Sequence, residues 1–457
     1  MSTREGSLDA PMRHPIRWQD PDFTDPEKLD AELRRVFDIC HGCRRCFNLC
    51  DSFPRLFDLI DASETGELDT VASTGFKSVT DACTLCDMCF MTKCPYVPPH
   101  EFDLDFPHLM LRARVAEFSR GEVGFVERKV ADTDANGKLG TAFSPLANWA
   151  CRRGNRLARP VMEAVAGIHR DAELPAFNPR AFVDTARRTP IEVDRDAPAH
   201  GRKAVIYATC FANWNDAAIG EATRRLLAHN GVETEVVHPA CCGMPRLEQG
   251  DMAEVTARAK TVAAALLPYV DKGWDVLALV PSCALMMKFE WPLICPDDDD
   301  VKRLAEATRD VSEYVVELAK VHGLADGMSA VQAPVTLHIA CHARAQNMGA
   351  KAAEMLRLLP EAKVEVVERC SGHGGAWGVK KETFPVAMKV GKPVFRKADR
   401  NDPEGKGYIV SECPLAALHI RQGVAETDGR NAPPPVNAHP IQLMAAAYGL
   451  VPAPGSA

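Results

Sequence analysis

Two cysteine runs near the amino terminus have the spacing of iron–sulfur ligands. They are Cys40-x2-Cys43-x2-Cys46-x3-Cys50 and, 43 residues further on, Cys83-x2-Cys86-x2-Cys89-x4-Cys94-Pro95. Three closely spaced thiolates can wrap one side of a [4Fe–4S] cube, and in proteins with two cubes the fourth cysteine of a run ligates the other cube. The spacing therefore predicts two adjacent cubes. One would be held by Cys40, Cys43, Cys46 and Cys94, and the other by Cys83, Cys86, Cys89 and Cys50.

Two other uses of clustered cysteines compete with this interpretation. Structural zinc needs four ligands in tetrahedral geometry, so the third cysteine of each x2-x2 run would be superfluous. Disulfide frameworks are typical of small secreted chains, whereas this chain has 457 residues. Asp51 stands where proline often follows the fourth cysteine, and the second run has an x4 step, but neither departure removes a ligand. The runs favour iron–sulfur ligation.

Length and composition indicate a multidomain globular protein. With 457 residues, of which 46% are hydrophobic and 25% charged, the chain should form two to four domains. Its net charge of −8 argues against nucleic-acid binding. The amino terminus lacks the apolar centre of a signal peptide, and no apolar run approaches the roughly 20 residues of a membrane helix. Because 17 cysteines also suggest a reducing compartment, we expect a cytoplasmic location.

Positive charge is concentrated between residues 111 and 190, which hold 14 Lys/Arg and 9 Asp/Glu. This stretch contains a loose helical stripe of apolar residues with arginines between them: Trp149, Leu157, Val161, Met162, Val165 and Ile168, with Arg152, Arg153, Arg156 and Arg159. Such a helix can bind a membrane surface or an acidic partner, or it can pack on the body of the domain. We favour packing on the body, with Cys151 as a small buried residue.

The distribution of apolar segments divides the chain into successive parts. Residues 1–30 are predicted to be a polar tail, residues 31–115 a helical domain with both cysteine runs, and residues 116–200 a basic helical connector. From residue 203 onward, short β-rich segments alternate with helix-length ones, which predicts parallel βα units. The predicted strands are 203–209, 234–238, 275–280, 335–340, 363–368 and 407–412.

These strands form an internal repeat, residues 201–325 and 330–450, with three strand–cysteine–helix units in each half. The first half has Cys210, Cys241-Cys242-Gly243 and Cys283, and the second has Cys341, Cys370-Ser371-Gly372 and Cys413. Successive steps are 31 and 42 residues in the first half and 29 and 43 in the second. Ligand sites in open α/β sheets lie at the carboxyl ends of the strands. The cysteines of each half should therefore converge on one metal site.

The pattern over residues 31–450 resembles the cysteine-rich CCG-domain proteins. The resemblance rests on the two cysteine runs and on CPYVPPHEF (94–102), ATCFAN (208–213), HPACCGMP (238–245), VPSC (280–283), ACHARA (340–345) and SECP (411–414). The chain is similar to the CCG-bearing subunits of anaerobic glycerol-3-phosphate dehydrogenases and heterodisulfide reductases, and to the iron–sulfur subunit of glycolate oxidases. The resemblance implies an α+β fold, with a helical two-cluster ferredoxin-like domain followed by two α/β CCG-type repeats with parallel strands. It also implies that the cubes relay electrons and that the repeats can hold further iron–sulfur clusters.

The two repeats depart from the family pattern to different degrees. CCG modules often end in CxxC, but Met286 and Ala416 stand three residues after Cys283 and Cys413. The first repeat therefore offers four thiolates, Cys210, Cys241, Cys242 and Cys283, which are enough for a cube. The second offers only Cys341, Cys370 and Cys413, because Ser371 replaces a cysteine.

Two interpretations of the second repeat remain open. Three thiolates with an imidazole, or with an open position for substrate, would make a metal site. His373 and His342 would then be candidate catalytic residues, reached through a flexible glycine loop at 372–375. Alternatively, the repeat is degenerate and its histidines only hydrogen-bond the loop. Cys295 lies outside the repeat register and is interpreted as a packing residue.

The motifs favour an electron-transfer role over substrate oxidation by this chain alone. The sequence contains no phosphate-binding loop, dinucleotide fingerprint or flavin motif, so we expect a flavin or nicotinamide on another polypeptide. The family resemblance implies an iron–sulfur oxidoreductase subunit that passes electrons between a partner redox protein and a quinone, a thiol/disulfide compound or another acceptor. That partner would be a flavoprotein dehydrogenase or a rubrerythrin-like protein, with peripheral contact to the inner face of the membrane as an option. The alternatives are a self-contained reductase with a substrate-binding metal site in the second repeat, and a non-catalytic metal-binding scaffold.

Overall fold

The structure, a computed structural model, describes residues 11–456 and confirms the predicted fold class. A helical amino-terminal part and a helical connector precede two α/β repeats, each built on a four-stranded parallel sheet. Residues 1–10 of the predicted polar tail lie outside the described residues.

The amino-terminal part, which carries both cysteine runs, is helical. Its helices are α1 (Pro21–Thr24), α2 (Pro26–Cys43), α3 (Ser52–Asp61), α4 (Lys77–Ala82), α5 (Met88–Thr92) and α6 (Phe106–Ser119), with 3₁₀ turns at Leu68–Thr70 and Ser73–Phe76. The carboxylate of Asp25 accepts the backbone N–H of Lys28 and so caps α2, whose first residue is a proline. The rings of Phe53 and Phe106 have centroids 4.6 Å apart, and this contact packs α3 against α6.

The connector consists of short helices. They are α7 (Phe125–Val130), α8 (Thr133–Ala142), α9 (Ser144–Cys151), α10 (Ala158–Ala166) and α11 (Phe182–Arg188).

The first repeat is a parallel sheet with the strand order β2-β1-β3-β4. Its strands are β1 (Lys203–Tyr207), β2 (Glu233–Val237), β3 (Asp275–Ala278) and β4 (Thr308–Asp310). Its helices are α12 (Thr209–Trp214), α13 (Ala217–His229), α14 (Met244–Leu247), α15 (Met252–Val270), α16 (Pro281–Leu285), α17 (Trp291–Ile294), α18 (Asp299–Ala307) and α19 (Val311–Val321). One π-helical segment, Met286–Glu290, joins α16 to α17.

The second repeat has the same topology, with the strand order β6-β5-β7-β8. Its strands are β5 (Val335–His338), β6 (Val364–Val367), β7 (Tyr408–Ser411) and β8 (Val436–Ala438). Its helices are α20 (Cys341–Ala345), α21 (Lys351–Leu356), α22 (Phe384–Asn401), α23 (Pro414–Ala425) and α24 (Pro440–Ala447), with a 3₁₀ segment at Gly375–Val379.

All six predicted strands are present, and they form the first three strands of each sheet. The sequence did not predict the fourth strands, β4 and β8. Each has only three residues, and β4 reads Thr-Arg-Asp, which lacks the apolar run that marks a buried parallel strand. The last residue of β4, Asp310, also caps α19. Its polar side chain therefore marks the start of that helix.

Two large apolar cores hold these parts together. One core joins the amino-terminal helices to the first repeat, and it includes Phe37, Phe57, Val276 and Trp291. The other contains buried residues of both sheets and of the helices between them, so the two repeats share a core. The carboxyl ends of the strands are thereby held in place relative to the cysteine runs.

The described part of the predicted tail differs from expectation because it packs against the body. Ile16 is buried, and the guanidinium of Arg13 forms salt bridges with Asp87 (2.6 Å), Asp105 (2.9 Å) and Glu290 (2.8 Å). The same guanidinium lies 4.5 Å from the centre of the Phe90 ring. The sequence did not reveal this packing, because the carboxylates that pair with Arg13 lie far away along the chain.

The apolar stripe of the connector does not pack as expected. The chain turns between α9 and α10, and Trp149, Leu157, Val161 and Val165 are exposed. The interpretation as one helix packed on the body is therefore wrong for these side chains. Arg159 is buried instead, because its guanidinium donates to the carbonyl groups of residues 169, 170 and 172. No helix within residues 11–456 is long and apolar enough to cross a membrane.

The Arg13 contacts make a first prediction. Replacing Arg13 with alanine should lower the free energy of unfolding by about 3 kcal/mol, because it leaves the buried carboxylate of Asp87 without its cation and leaves Glu290 with only the ring of His108. Anaerobic denaturant unfolding measures the change. The matched control is Arg17→Ala, since Arg17 is exposed nearby. Equal midpoints for the two variants would contradict the prediction.

Candidate metal centres

The cysteines of both repeats meet the second cysteine run at one large cavity. The cavity has a volume of about 1200 Å³ and lies at the carboxyl ends of the strands of both sheets. Ten of the predicted ligands line it: Cys50, Cys83, Cys86, Cys210, Cys241, Cys242, Cys283, Cys341, Cys370 and Cys413. Every described cysteine is a free thiol.

The first run folds back so that Cys94 joins its first three cysteines. Helix α2 ends at Cys43, and Arg44 turns the chain with a left-handed φ of 52°. Burial raises the pKa of Cys40, and the neighbouring thiols of Cys94, Cys46 and Cys43 raise it further. Burial and the thiols of Cys94 and Cys43 likewise raise the pKa of Cys46 to about 12. These four thiols therefore form one group.

The second run forms the matching group with Cys50. The chain between Cys83 and Cys89 contains left-handed residues at Leu85 (φ 48°) and Asp87 (φ 63°), which coil the backbone tightly. Burial raises the pKa of Cys50, with further contributions from the thiols of Cys86 and Cys83. Burial and the thiols of Cys86, Cys83 and Cys50 do the same for Cys89. This is the crossed grouping that the spacing predicts, and ligation itself stays a prediction.

The first repeat brings its four cysteines together at the ends of β1, β2 and β3. The sulfur atoms of Cys210 and Cys241 are 3.7 Å apart. Hydrogen bonding to Cys241 raises the pKa of Cys210, and hydrogen bonding to Cys241 and then to Cys283 raises that of Cys242. The pKa of Cys241 is lowered by its hydrogen bonds with Cys210 and Cys242.

The second repeat places its three cysteines between the other groups. Burial raises the pKa of Cys341, and the thiols of Cys86, Cys370 and Cys413 raise it further. Cys413 in turn neighbours Cys283 of the first repeat, and Cys370 is the one exposed cysteine among the described residues. The second-repeat thiols therefore adjoin the second cysteine run on one side and the first-repeat group on the other.

The donor chemistry of these groups fits iron–sulfur clusters. Each group offers three or four thiols, which are the ligands that such clusters use. Within residues 11–456, no three His, Cys, Asp or Glu side chains are placed to hold a single metal ion.

Comparisons with known proteins agree with this arrangement. The cysteine-rich CCG domain matches residues 204–288 and 335–421, which are the two repeats. Lactate utilization protein A of Geobacillus kaustophilus is 30% identical over 189 residues, which make up 39% of this chain and 75% of that protein. The chain belongs to the cysteine-rich CCG domain family.

Other relatives cover more of the chain. A subunit of the anaerobic glycerol-3-phosphate dehydrogenase of Escherichia coli K12 is 24% identical over 328 residues, or 71% of this chain and 79% of that protein. Lactate utilization protein A of Bacillus cytotoxicus is 24% identical over 222 residues, or 46% of this chain and 87% of that protein. The predicted family and the predicted similarity to a glycerol-3-phosphate dehydrogenase subunit are confirmed.

The CCG sequence of the first repeat has a direct structural role. Gly243 has a φ of 86°, a left-handed conformation that turns the chain from the cysteine pair into α14. The carbonyl of Cys242 accepts a hydrogen bond from the indole N–H of the buried Trp291 at 3.1 Å. Both thiols of the pair are thus fixed in the group by their backbone.

The second-repeat loop is closely packed, whereas the sequence interpretation treats its glycines as a source of flexibility. A Cβ on Gly372 would lie 2.0 Å from the carbonyl oxygen of Ala387, and one on Gly374 would lie 2.7 Å from the Thr84 side chain. Both glycines also have positive φ angles. Glycine is required here because the loop is wedged between α22 and the second cysteine run.

The two candidate histidines occupy different positions. The ring of His342 is within hydrogen-bond distance of the Ser282 hydroxyl (Nδ1, 2.8 Å) and of the Leu85 carbonyl (Nε2, 3.3 Å), so it joins three parts of the chain. Both rings line the cavity, and burial lowers the pKa of both, that of His373 to about 3 with added repulsion from neighbouring histidines. His373 is the better candidate for a metal ligand, because both ring nitrogens of His342 already have protein partners.

Sequence reasoning missed two connector residues that reach the first-repeat group. The carboxylate of Asp134 accepts the backbone N–H of Cys241 at 2.7 Å and contacts the ring of His238 at 2.7 Å. The hydroxyl of Thr133 lies beside Cys210 and Cys241 and favours their thiolate forms. The only sequence feature that could have indicated them is the Asp-Thr-Asp segment at the start of α8, and this segment is typical of an ordinary helix cap.

The remaining cysteines lie apart from these groups. Cys295 is buried beside Thr256, as expected of a packing residue, and Cys151 is half-buried at the end of α9.

The crossed grouping makes a second prediction. Cys50→Ser should remove about four irons from the reconstituted protein and leave the group around Cys40 intact, whereas Cys94→Ser should do the reverse. Iron and sulfide analysis with EPR of the reduced protein distinguishes the two cubes. Cys295→Ser serves as the control. If Cys50→Ser instead removed the cube around Cys40, and Cys94→Ser the cube around Cys83, the crossed grouping would be refuted.

Proposed function

We propose that this chain is the electron-transfer subunit of a dehydrogenase or reductase complex, with a [4Fe–4S] cube in each amino-terminal thiol group and a further metal cluster in the repeats. When bound, such clusters exchange single electrons. The observation that carries the proposal is the series formed by the thiol groups. Cys89 neighbours Cys46, Cys341 neighbours Cys86, and Cys413 neighbours Cys283, so each group adjoins the next.

The protein environment of the groups supports a redox role. The ring of His342 joins Leu85, which lies between two cysteines of the second run, to Ser282, which precedes Cys283. These contacts fix the distance between the second-run thiols and the first-repeat thiols. The backbone of Cys83 is also held, since its carbonyl accepts a hydrogen bond from Arg114. Rigid placement limits reorganisation when charge changes, and hydrogen bonding and burial set the potential of such clusters.

The relatives support the same class of function. One is part of an anaerobic glycerol-3-phosphate dehydrogenase and others are lactate utilization proteins. We propose that this chain, too, works beside a partner redox protein, a flavoprotein dehydrogenase or a rubrerythrin-like protein. It would deliver electrons to a quinone, a thiol/disulfide compound or another acceptor in the cytoplasm.

A self-contained reductase is the second candidate, and one observation favours it. Cys370 is exposed at the cavity, whereas Cys241, Cys242 and Cys283 of the first repeat are buried. An iron–sulfur cluster held by Cys341, Cys370 and Cys413 would therefore be within reach of a small molecule, with His373 close by in the same loop.

The partner requirement gives a third prediction. The purified chain should contain no flavin and should not oxidise glycerol 3-phosphate or a 2-hydroxy acid with an artificial acceptor, because one-electron centres need a two-electron converter upstream. Adding the flavoprotein partner should restore turnover. The measurements are the absorbance of released flavin and dye reduction under anaerobic conditions. Turnover by the chain alone would favour the second candidate.

The inequivalence of the repeats gives a fourth prediction. Cys242→Ser should strip metal from the first repeat and destabilise the protein, because metal binding contributes directly to folding free energy. His373→Gln should keep the fold and the first-repeat metal but change the absorption and EPR spectra of the second site. His322→Gln is the control, since His322 is an exposed residue of the first repeat. Equal iron loss in both test variants, or an unchanged His373→Gln spectrum, would contradict this division.

A further inference from the structure

Helix α22, which follows the Cys370 loop of the second repeat, carries a row of cations on its outer side. Residues 380–400 hold seven Lys/Arg and two Asp/Glu, in a chain whose net charge is −8. Four of the basic residues are exposed and recur at helical spacing, and we call them the basic face: Lys389, Lys392, Arg396 and Arg400. They lie on the side of the helix opposite its buried residues, among them Ala387, Val394 and Ala398. From Lys389 to Arg400 the helix rises by about 16.5 Å.

The positive charge of the basic face is not compensated by its surroundings. Its four cations form no ion pair within residues 11–456. Of the two acidic residues in the same stretch, Asp399 is paired with Arg430, and Glu382 lies before the helix begins, seven residues from Lys389. Arg369, which lines the cavity, is exposed and is likewise without an ion pair among the described residues. A row of uncompensated charges creates a field that attracts an anionic surface.

The basic face borders the cavity beside Cys370. Val390 and Pro393, on the side of α22 next to the basic face, line the cavity. The helix also rests on the Cys370 loop, because a Cβ on Gly391 would lie 2.3 Å from the carbonyl oxygen of Ser371. Cys370 is exposed and lines the same cavity. A molecule held by the basic face would therefore lie beside the exposed thiol of the second repeat.

The corresponding helix of the first repeat differs in both respects. Helix α15 leads from the Cys-Cys-Gly loop to β3, as α22 leads from the Cys-Ser-Gly loop to β7. The two basic residues of α15 are paired, Arg258 with Glu254 and Lys260 with Asp298. Both cysteines of the first-repeat loop are buried. Uncompensated positive charge thus accompanies the repeat whose cysteine is exposed, which indicates that the charge serves access to that cysteine.

We propose that the basic face binds a one-electron carrier protein with an acidic surface, of the ferredoxin class, beside the second-repeat thiols. This inference rests on the proposed electron-transfer function. Complementary charges steer two proteins together and fix their orientation, and electron-transfer contacts are small, burying less than about 1,200 Å² in total. In the transfer step the reduced carrier loses one electron and the second-repeat cluster gains it. No bond forms or breaks, and no proton has to move.

An acidic protein fits this surface better than an anionic bilayer does. Helices that lie in a bilayer interface place large apolar side chains beside their cations. Among the described side chains of α22, no valine, methionine or phenylalanine is exposed. The basic face therefore offers charge without an apolar group to insert between lipids.

Titration calorimetry of the anaerobically reconstituted full chain with a plant-type [2Fe–2S] ferredoxin tests the contact through binding and not through activity. Wild-type protein should bind the ferredoxin with an affinity that falls as salt rises, because salt screens exposed charges. Lys389→Glu/Arg396→Glu and Lys392→Glu/Arg400→Glu should each weaken binding by roughly tenfold or more. These side chains are exposed, so both variants should keep their iron content and unfolding midpoint.

The matched control is Arg357→Glu/Lys363→Glu, which reverses two exposed charges of the same repeat. Lys363 directly precedes β6, at the end of the sheet opposite the cysteines, so this variant should bind the ferredoxin like wild type. Absence of wild-type binding at low salt, or equal binding by all variants, would overturn the proposal. Binding to phosphatidylglycerol vesicles, or self-association seen by light scattering, that the α22 variants lose while wild type binds no ferredoxin would overturn it too.

Reduced methyl viologen separates failure of the contact from failure of the proposed function. This small dye needs no docking surface, so it should reduce the reconstituted clusters of wild type and of every variant equally. Reduction by the dye without ferredoxin binding would reject the carrier and leave the electron-transfer function standing. Ferredoxin binding without cluster reduction by either donor would reject the electron-transfer function and leave the contact standing.

Discussion

The need to bring fifteen thiols into a few close groups governs the whole structure. Burial and neighbouring thiols both raise the pKa of Cys40, Cys50, Cys89 and Cys341, so ionising any one of these thiols is costly. A thiol must nevertheless become a thiolate to bind metal. Metal binding has to supply that free energy, and it couples cluster assembly to folding. The parallel sheets meet this constraint because each brings the ends of three strands to one cavity. In the two cysteine runs, the left-handed turns at Arg44 and Asp87 bring the cysteines of the loops together.

Much of the scaffold could be predicted from the sequence because its signals are local. Apolar strands followed by cysteines at repeated intervals identified both repeats, and the cysteine spacing anticipated that Cys50 and Cys94 exchange groups. What escaped prediction depends on partners distant in sequence. Asp134 reaches Cys241 across 107 residues, and Arg13 reaches Glu290 across 277. A charged residue in a polar segment gives no sign of such a partner.

The glycines of the second-repeat loop and the apolar and arginine residues of the connector were misinterpreted for a related reason: the sequence does not show which atoms pack beside them. The glycines of the second-repeat loop read as flexibility, but Gly372 and Gly374 are needed because neighbouring atoms leave no space for a Cβ. In the connector, helical periodicity indicated one apolar face but could not tell whether any neighbour covers it. The arginine that is buried, Arg159, is the one whose donors find three backbone carbonyls at a chain turn. Arg159 is buried because hydrogen-bond acceptors are available to its guanidinium, although arginine is a charged residue.

The Arg13 salt bridges also bear on the order of events during synthesis. Arg13 leaves the ribosome before its partners Asp87, Asp105 and Glu290, which emerge over the following 277 residues. Domains generally fold as they emerge, from the amino terminus onward. The loop that holds Cys86 and Cys89 is therefore translated and exposed well before Glu290 exists to complete its anchor. The anchor of this loop is completed only when the π-helical segment of the first repeat, which carries Glu290, folds against Arg13.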